Sequence, residues 1–391
     1  MVQGGPLKKK EKKKARGQGQ GQAPNRTSKV SRGQKPHDEK RQEAKEEEEE
    51  EEEEGGRGSV DLASTIPITL QQLLLNVFKG ALLGSPPLDT KTLIQTIKTH
   101  LYNRDFDAAF TDANEELLRA YALRWSASRA LGYAGVFKAT LRLVLEQSSA
   151  SSSNHVVCIG GGAGAEIVAL AAVWREMIDE QNSNEERGLS PPLSVTAVDI
   201  ADWSSVVNRL ATALTSSSIV GSRTHPAPLL PTTTSLNVTF QRTDVLRISD
   251  GDLSGLLREE STALVTLMFT LNELFSTSMA KTTSFLLRMT DLLAPGTVLL
   301  VVDSPGSYST LNMKKPSQPS HQEDSTVSER RYPMKFLLDH TLLSVAEGKW
   351  DRVCSQDSRW WRRDAARLGY DVGEGAGLED MRFQIHIYRR I

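Results

Sequence analysis

Apolar side chains are almost absent before Val60, and from there on they recur with two different periods. Leu70, Leu73, Leu74, Val77, Phe78 and Ala81 follow the i, i+3, i+4, i+7 spacing of one helix face, which predicts an amphipathic helix. Gly84, Pro86 and Pro87 close it. Asp89 is placed to cap a second helix carried by Leu93, Ile94, Ile97 and Leu101. Asp112 and Glu115 have capping-box spacing and predict a longer helix after them. In it Tyr121, Trp125 and Arg129 share a face at i, i+4, i+8, with Arg124 beside Trp125. That face reads either as arginine packed on aromatic rings or as a lid over a cofactor or a contact to RNA. Residues 65–147 thus form a helical lead-in.

The period then shortens. Residues 156–159 are a short apolar run, as in a buried parallel strand. Glycines follow, and an apolar helix is predicted over 166–173. Further strands are predicted over 194–200, 236–246, 264–269 and 297–302, with a helix over 276–293 turned back by Pro295 and Gly296. Near the C-terminus Phe383, Ile385 and Ile387 alternate with Arg382, Gln384 and His386, the period of a half-buried strand. The succession is β-α-β with a polar residue at each strand's C-terminal end, where open α/β sheets bind ligands. Residues 213–235 and 309–329 are polar and proline-containing, the composition of irregular loops.

Charge changes this picture only at the front. The net charge of -2 over 391 residues hides a basic segment, 14 basic against 4 acidic groups in residues 1–45, and an acidic one, 9 against 1 in residues 46–60. A segment this polar cannot bury enough apolar surface to offset its ordering entropy, so residues 1–60 are expected to be a disordered tail. Its KKKEKKKAR cluster suits a nuclear or nucleolar address or a nucleic-acid arm; a cytoplasmic protein with a solvated tail is the other reading. Two cysteines exclude a disulfide scaffold and a cysteine-based zinc site; no metal is expected. The longest apolar stretches, residues 167–174 and 263–271, fall short of the roughly 20 residues that span a bilayer, so no membrane partner is expected.

The chemistry is concentrated at HVVCIGGGAGAE, residues 155–166. Glycines at 160, 162 and 164 let the backbone turn sharply and a ligand approach it closely. The spacing is not the G-x-G-x-x-G of dinucleotide binders and fits S-adenosylmethionine sites better, although a generic strand-to-helix turn would also use it. Asp199 closes the second strand, where an acidic group can accept from both ribose hydroxyls or simply cap the next helix. Asp244 follows the third strand and could accept from an adenine amino group. Thr270 and Asn272 end the fourth.

Together VVCIGGGAGAEIVALAA, AVDIADWS, FTLNELF, VVDSPGSYS, YPMKFLLDHTLL and MRFQIHIYRR, with AYALRWSASRALGY upstream, resemble a fungal family of S-adenosylmethionine-dependent methyltransferases. The resemblance covers residues 65–391, and the family includes a uridine-N3-methyltransferase of 25S ribosomal RNA. It implies an α/β fold, the Rossmann-like class I methyltransferase sheet over residues 151–391, and S-adenosyl-L-methionine as cofactor. It implies cofactor contacts from Gly160, Gly162, Gly164, Glu166, Asp199, Asp244, Thr270 and Asn272. One departure matters. The position two before the first glycine is often acidic, and here it is Cys158; its contact must come from elsewhere, with Glu166 the candidate.

No Asn/Asp-Pro-Pro-aromatic tetrad follows the fourth strand and no Pro-Cys pair is present, which argues against exocyclic-amine and carbon-5 methylation. A ring nitrogen needs no protein nucleophile, only an in-line acceptor and a group to take its proton. Glu273 and Asp303 are the candidates by position, with His340 or His386 in reserve and helix capping the alternative role for each carboxylate. The Watson–Crick edge must then be unpaired or flipped out. Eight arginines between Arg352 and Arg390, among Trp350, Trp360 and Trp361, suit ribosomal RNA or a pre-ribosomal particle, or else a solvated edge around core tryptophans. The expected state is a monomer. The competing functions are a protein or small-molecule methyltransferase on the same fold and a non-catalytic ribosome-assembly factor.

Overall fold

The computed structural model describes residues 60–84, 87–145, 154–183, 192–231, 236–258, 262–306, 308–313 and 328–391. The charged runs of the first 59 positions lie outside the described residues. Residues 58–391 form one compact unit. Its centre is a seven-stranded sheet in the order β3-β2-β1-β4-β5-β9-β8: β1 Asn154–Ile159, β2 Leu193–Asp199, β3 Leu236–Arg242, β4 Thr262–Met268, β5 Val298–Asp303, β8 Trp350–Trp361 and β9 Met381–Arg390. The first five strands are parallel, β9 is antiparallel to β5, and β8 is antiparallel to β9. The C-terminal ends of β1–β5 therefore share one edge of the sheet with Trp361 and Met381.

Alternation along the strands builds two cores. Val156, Cys158, Leu300 and Val302 face one side, while Val157, Ile159, Leu299 and Val301 face the other. Both β1 and β5 are buried throughout, which is why they read as unbroken apolar runs. The first side is covered by α1 Ile68–Leu82, α4 Ala127–Leu145, α5 Ala165–Ser183 and α6 Ser204–Leu214. The second carries α7 Asp250–Arg258, α8 Leu271–Leu292 and α9 Met334–Asp339.

The lead-in helices thus belong to the sheet's own core. Helix α2, Thr90–Tyr102, is capped by Asp89, whose side chain accepts from Thr92 N–H. Helix α3, Glu115–Tyr121, passes through a π-helical turn at Ala122–Ser126 into α4. Its cap is Asn114, whose Oδ1 accepts from Leu117 N–H at 2.9 Å; Asp112, expected in that role, instead ends the preceding π-helical turn Asp107–Thr111. Buried Arg119 donates from Nε and Nη2 to the Leu82 carbonyl at the end of α1. Buried Lys138 pairs with Glu176 at 2.7 Å and Glu180 at 3.1 Å, tying α4 to α5.

Two further local expectations change, and one strand was not expected at all. Helix α8 starts at Leu271 rather than 276, because Asp303 accepts from Asn272 N–H and so supplies an early cap; the missing turn is marked by a kink at Ser278, φ -163° and ψ 104°. Segment 309–329, expected to be irregular, is paired at its ends as a hairpin of β6 Tyr308–Met313 and β7 Ser328–Pro333; the residues between lie outside the described ones. Strand β8 has no apolar alternation and pairs along β9 with two register shifts.

Candidate active site

The glycine turn bridges the ends of β1, β2 and β4. Gly160 sits at φ +78° and Gly164 at φ +81°, conformations that favour glycine. Gly160 N–H donates to the Val198 carbonyl at 2.7 Å. A Cβ at Gly160 would collide with the Thr270 side chain. At Gly162 it would strike the Trp203 ring and come within 2.9 Å of Asp199 Cβ. The turn has room for backbone only.

Asp199 holds this arrangement from β2. Its Oδ2 accepts from Gly162 N–H at 3.2 Å, its Oδ1 from Ala201 N–H at 3.1 Å, and its carbonyl from Thr243 N–H at 2.7 Å. Burial pushes its carboxyl up to about 6, and the backbone donors offset this only in part. Asp244 lies one strand further on; its Oδ1 accepts from Leu246 N–H at 2.9 Å and it pairs with Arg247 at 3.2 Å. Glu166, 3% exposed, lies in the first turn of α5. Burial pushes its carboxyl up to about 8, with Arg129 pulling it down and Asp199 pushing it further up.

The end of β4 is strained. Phe269 has φ +57°, a left-handed conformation uncommon for an aromatic residue, and its N–H donates to the Val302 carbonyl at 2.7 Å. Thr270 Oγ1 donates to the Met268 carbonyl at 3.2 Å. Asp303 is buried; its Oδ2 accepts from Asn272 N–H at 3.0 Å and its Oδ1 from Ser304 N–H at 2.8 Å. Glu273 is exposed at the start of α8. The structure therefore brings the three glycines, Asp199, Glu166 and Thr270 together around one turn, and puts Asn272, Glu273 and Asp303 at the next strand ends. Asp244 directly follows Thr243, whose N–H is bonded to the Asp199 carbonyl, and its own carboxylate accepts from Leu246 N–H. His386 is buried, with Nδ1 at 2.8 Å from Ser355 Oγ and Nε2 at 3.0 Å from Gln384 Oε1. Burial holds its pKa down to about 4, so it is neutral at physiological pH. His340 is exposed and stacked on Phe336.

Sequence reasoning left an aromatic wall undecided and missed Trp203 altogether. Tyr121 packs on Trp125 at 4.9 Å, on Trp203 at 5.7 Å and edge-on to Phe110 at 5.0 Å. Trp203 in turn meets Gly162. Arg129 Nη1 donates to the Tyr121 hydroxyl at 2.9 Å, and its guanidinium lies 5.1 Å over the Phe269 ring. The i, i+4, i+8 face of α3 and α4 is therefore turned toward the glycine turn. Its spacing was visible; its direction depended on Trp203, 74 positions beyond Arg129.

The donor set suits a ligand with a ribose and an amino-acid end. Backbone approaches without side chains at Gly160 and Gly162, a carboxylate closes β2, and Asn272 Oδ1 is a buried acceptor with no partner among the described residues. A seven-stranded sheet of this order with such a turn at its first strand is that of a class I S-adenosylmethionine-dependent methyltransferase. Residues 78–389 match the family described as "Putative SAM-dependent methyltransferase", and the chain belongs to that family. It is 34% identical over 310 residues to the 25S rRNA (uridine(2843)-N(3))-methyltransferase of Saccharomyces cerevisiae, covering 75% of this chain and 76% of the yeast enzyme. A SAM-dependent methyltransferase from Methanosarcina mazei is similar over 62% of this chain and 94% of its own, at 10% identity and a TM-score of 0.33. An O-methyltransferase family 2 protein from Planctomyces limnophilus, in complex with apigenin, covers 71% and 62% at 12% identity and a TM-score of 0.37. Likenesses this remote carry no argument.

Proposed function

We propose that this protein methylates N3 of a uridine in large-subunit ribosomal RNA. The carrying observation is its 34% identity over three quarters of both chains to the yeast enzyme of that name. The cofactor supplies an activated methyl group; the residues of this chain hold the acceptor in line and take its proton. As the N3–carbon bond forms and the carbon–sulfur bond breaks, the N3 proton passes to a base. Glu273 is our candidate for that base, since it is exposed at the sheet edge that carries the glycine turn. Asp303 is the positioning partner: its Oδ2 accepts from Asn272 N–H at the start of α8, while its Oδ1 accepts from the adjacent Ser304 N–H.

The RNA reading is supported at the same edge by Trp360. It is 50% exposed, with the Arg362 guanidinium 4.4 Å and that of Arg382 5.8 Å from its ring. Stacking with cationic flanks suits unpaired nucleotides. Pre-ribosomal RNA as partner and a nuclear site of action follow from the same reading, with the 8–16 basic cluster as the address. Nucleoside mass spectrometry of large-subunit RNA tests it. Deleting the gene should remove one 3-methyluridine, and yeast lacking its own relative should regain the mark when given this chain. An unchanged nucleoside profile in both would refute the assignment.

A further inference from the structure

Arg129 is a cation without an anion. Half-buried, its guanidinium lies 5.9 Å from the Tyr121 ring and 5.1 Å from the Phe269 ring, and among the described residues it forms no ion pair; its hydrogen bond is to the neutral Tyr121 hydroxyl. A desolvated charge is costly unless an opposite charge meets it. Glu166 is the carboxyl that acts on it electrostatically, and Glu166 does not settle the balance. It is buried in the first turn after the glycines, and the charged and titratable groups that act on it or feel it are Arg129 and Tyr133 on α4, Cys158 on β1 and Asp199 on β2. In these surroundings its carboxyl titrates at about 8 and is mostly neutral at physiological pH. Arg129 thus has no ion-pair partner among the described residues, and Glu166 is an acid that burial holds largely protonated.

We propose that Arg129 receives the carboxylate, and Glu166 the ammonium, of the amino-acid end of the cofactor. This rests on the family's cofactor and goes beyond it by assigning the zwitterion's two receptors. The first comes from the lead-in helix α4, and the second from the first turn after the glycines. The arrangement accounts for Cys158. An acidic anchor at the end of β1 is replaced by one eight positions later, on α5, where it can be balanced by a cation from a different part of the chain. It also gives the Tyr121–Arg129 hydrogen bond a purpose: the phenol steers a fork whose planar shape matches a carboxylate. On binding, the ammonium favours the ionised form of Glu166, so the acid gives up its proton to solvent.

Two calorimetric measurements on the full chain test this. The first compares S-adenosylhomocysteine with its decarboxylated analogue. Wild type should prefer the carboxylate-bearing ligand by about 10- to 100-fold, and Arg129→Met should bind the two nearly alike while keeping its melting transition. A folded Arg129→Met that retains the preference overturns the assignment. If that variant does not fold, the wild-type preference decides, and near-equal affinities overturn it. The second measures binding of S-adenosylhomocysteine at neutral pH in two buffers of different ionisation enthalpy. Wild type should release close to one proton and Glu166→Gln none. Equal release by both overturns the role of Glu166. No binding of either ligand would instead strike the cofactor reading on which the proposal stands.

Discussion

The edge of the sheet that carries the site has two unlike halves. At the ends of β1 and β2 the polar groups are spent on backbone: Asp199 accepts from Gly162 and Ala201, and Gly160 donates to Val198. At or beyond the ends of β4 and β8 side chains stand free of such backbone ties, with Glu273 exposed and Trp360 flanked by arginines. The first half restricts residue type through backbone space, so few substitutions are compatible with it. The second restricts only where a side chain stands, which many sequences can satisfy. A methyl donor of fixed shape suits the first kind of construction, and a large, variable acceptor the second.

The sharpest way to break this contrast is Gly162→Arg. The new side chain must enter the space held by Trp203 and Asp199. Cofactor affinity should fall by more than about 100-fold, a loss beyond one hydrogen bond, and the melting temperature should drop as Trp203 is displaced; calorimetry with thermal denaturation checks both. Glu273→Gln probes the other half and should lower turnover by about 100-fold or more at saturating RNA and cofactor, leaving cofactor affinity near wild type. Turnover that survives would move the base elsewhere on the rim. Asp199→Ala comes next: loss of a charged acceptor should weaken cofactor binding by about tenfold or more. The smallest effect is on stability. Glu166 titrates at about 8 when folded against an ordinary 4.5. Between those values the folded state holds the extra proton, so stability falls as pH rises through that window. Glu166→Gln should raise the melting temperature of the ligand-free protein at pH 8 and leave it unchanged below pH 4.5; a pH series of melting curves reads this directly.

The same contrast explains what was legible in the sequence. The glycine turn and strands β1, β4 and β5 announced themselves, because two buried faces demand unbroken apolar runs and a positive φ favours glycine. The start of α8 was misplaced because its cap, Asp303, lies 31 positions from the N–H it holds. Strand β8 carries exposed arginines and register shifts, so no period of two survives in its composition. The aromatic face at Tyr121, Trp125 and Arg129 was visible as spacing, yet nothing local says which way it points; Trp203 supplies that. Asn114 took the cap expected at Asp112 because the π-helical turn before it shifts the helix start.

The two ends of the compact unit clasp each other. Arg359 donates to the Leu62 carbonyl, and Gln72 exchanges two hydrogen bonds with Gly369, pairs separated by 297 positions. Arg124 pairs with Glu379, Tyr370 donates to the Leu123 carbonyl, and Gly132 of α4 lies against Met381. The helix that presents Arg129 is therefore braced by β9, which lies about 250 positions further along the chain. Contacts of such long range are slow to close. Replacing Met381 or Glu379 should consequently disturb a helix about 250 positions away, loosening α4 and the turn before it ahead of the sheet.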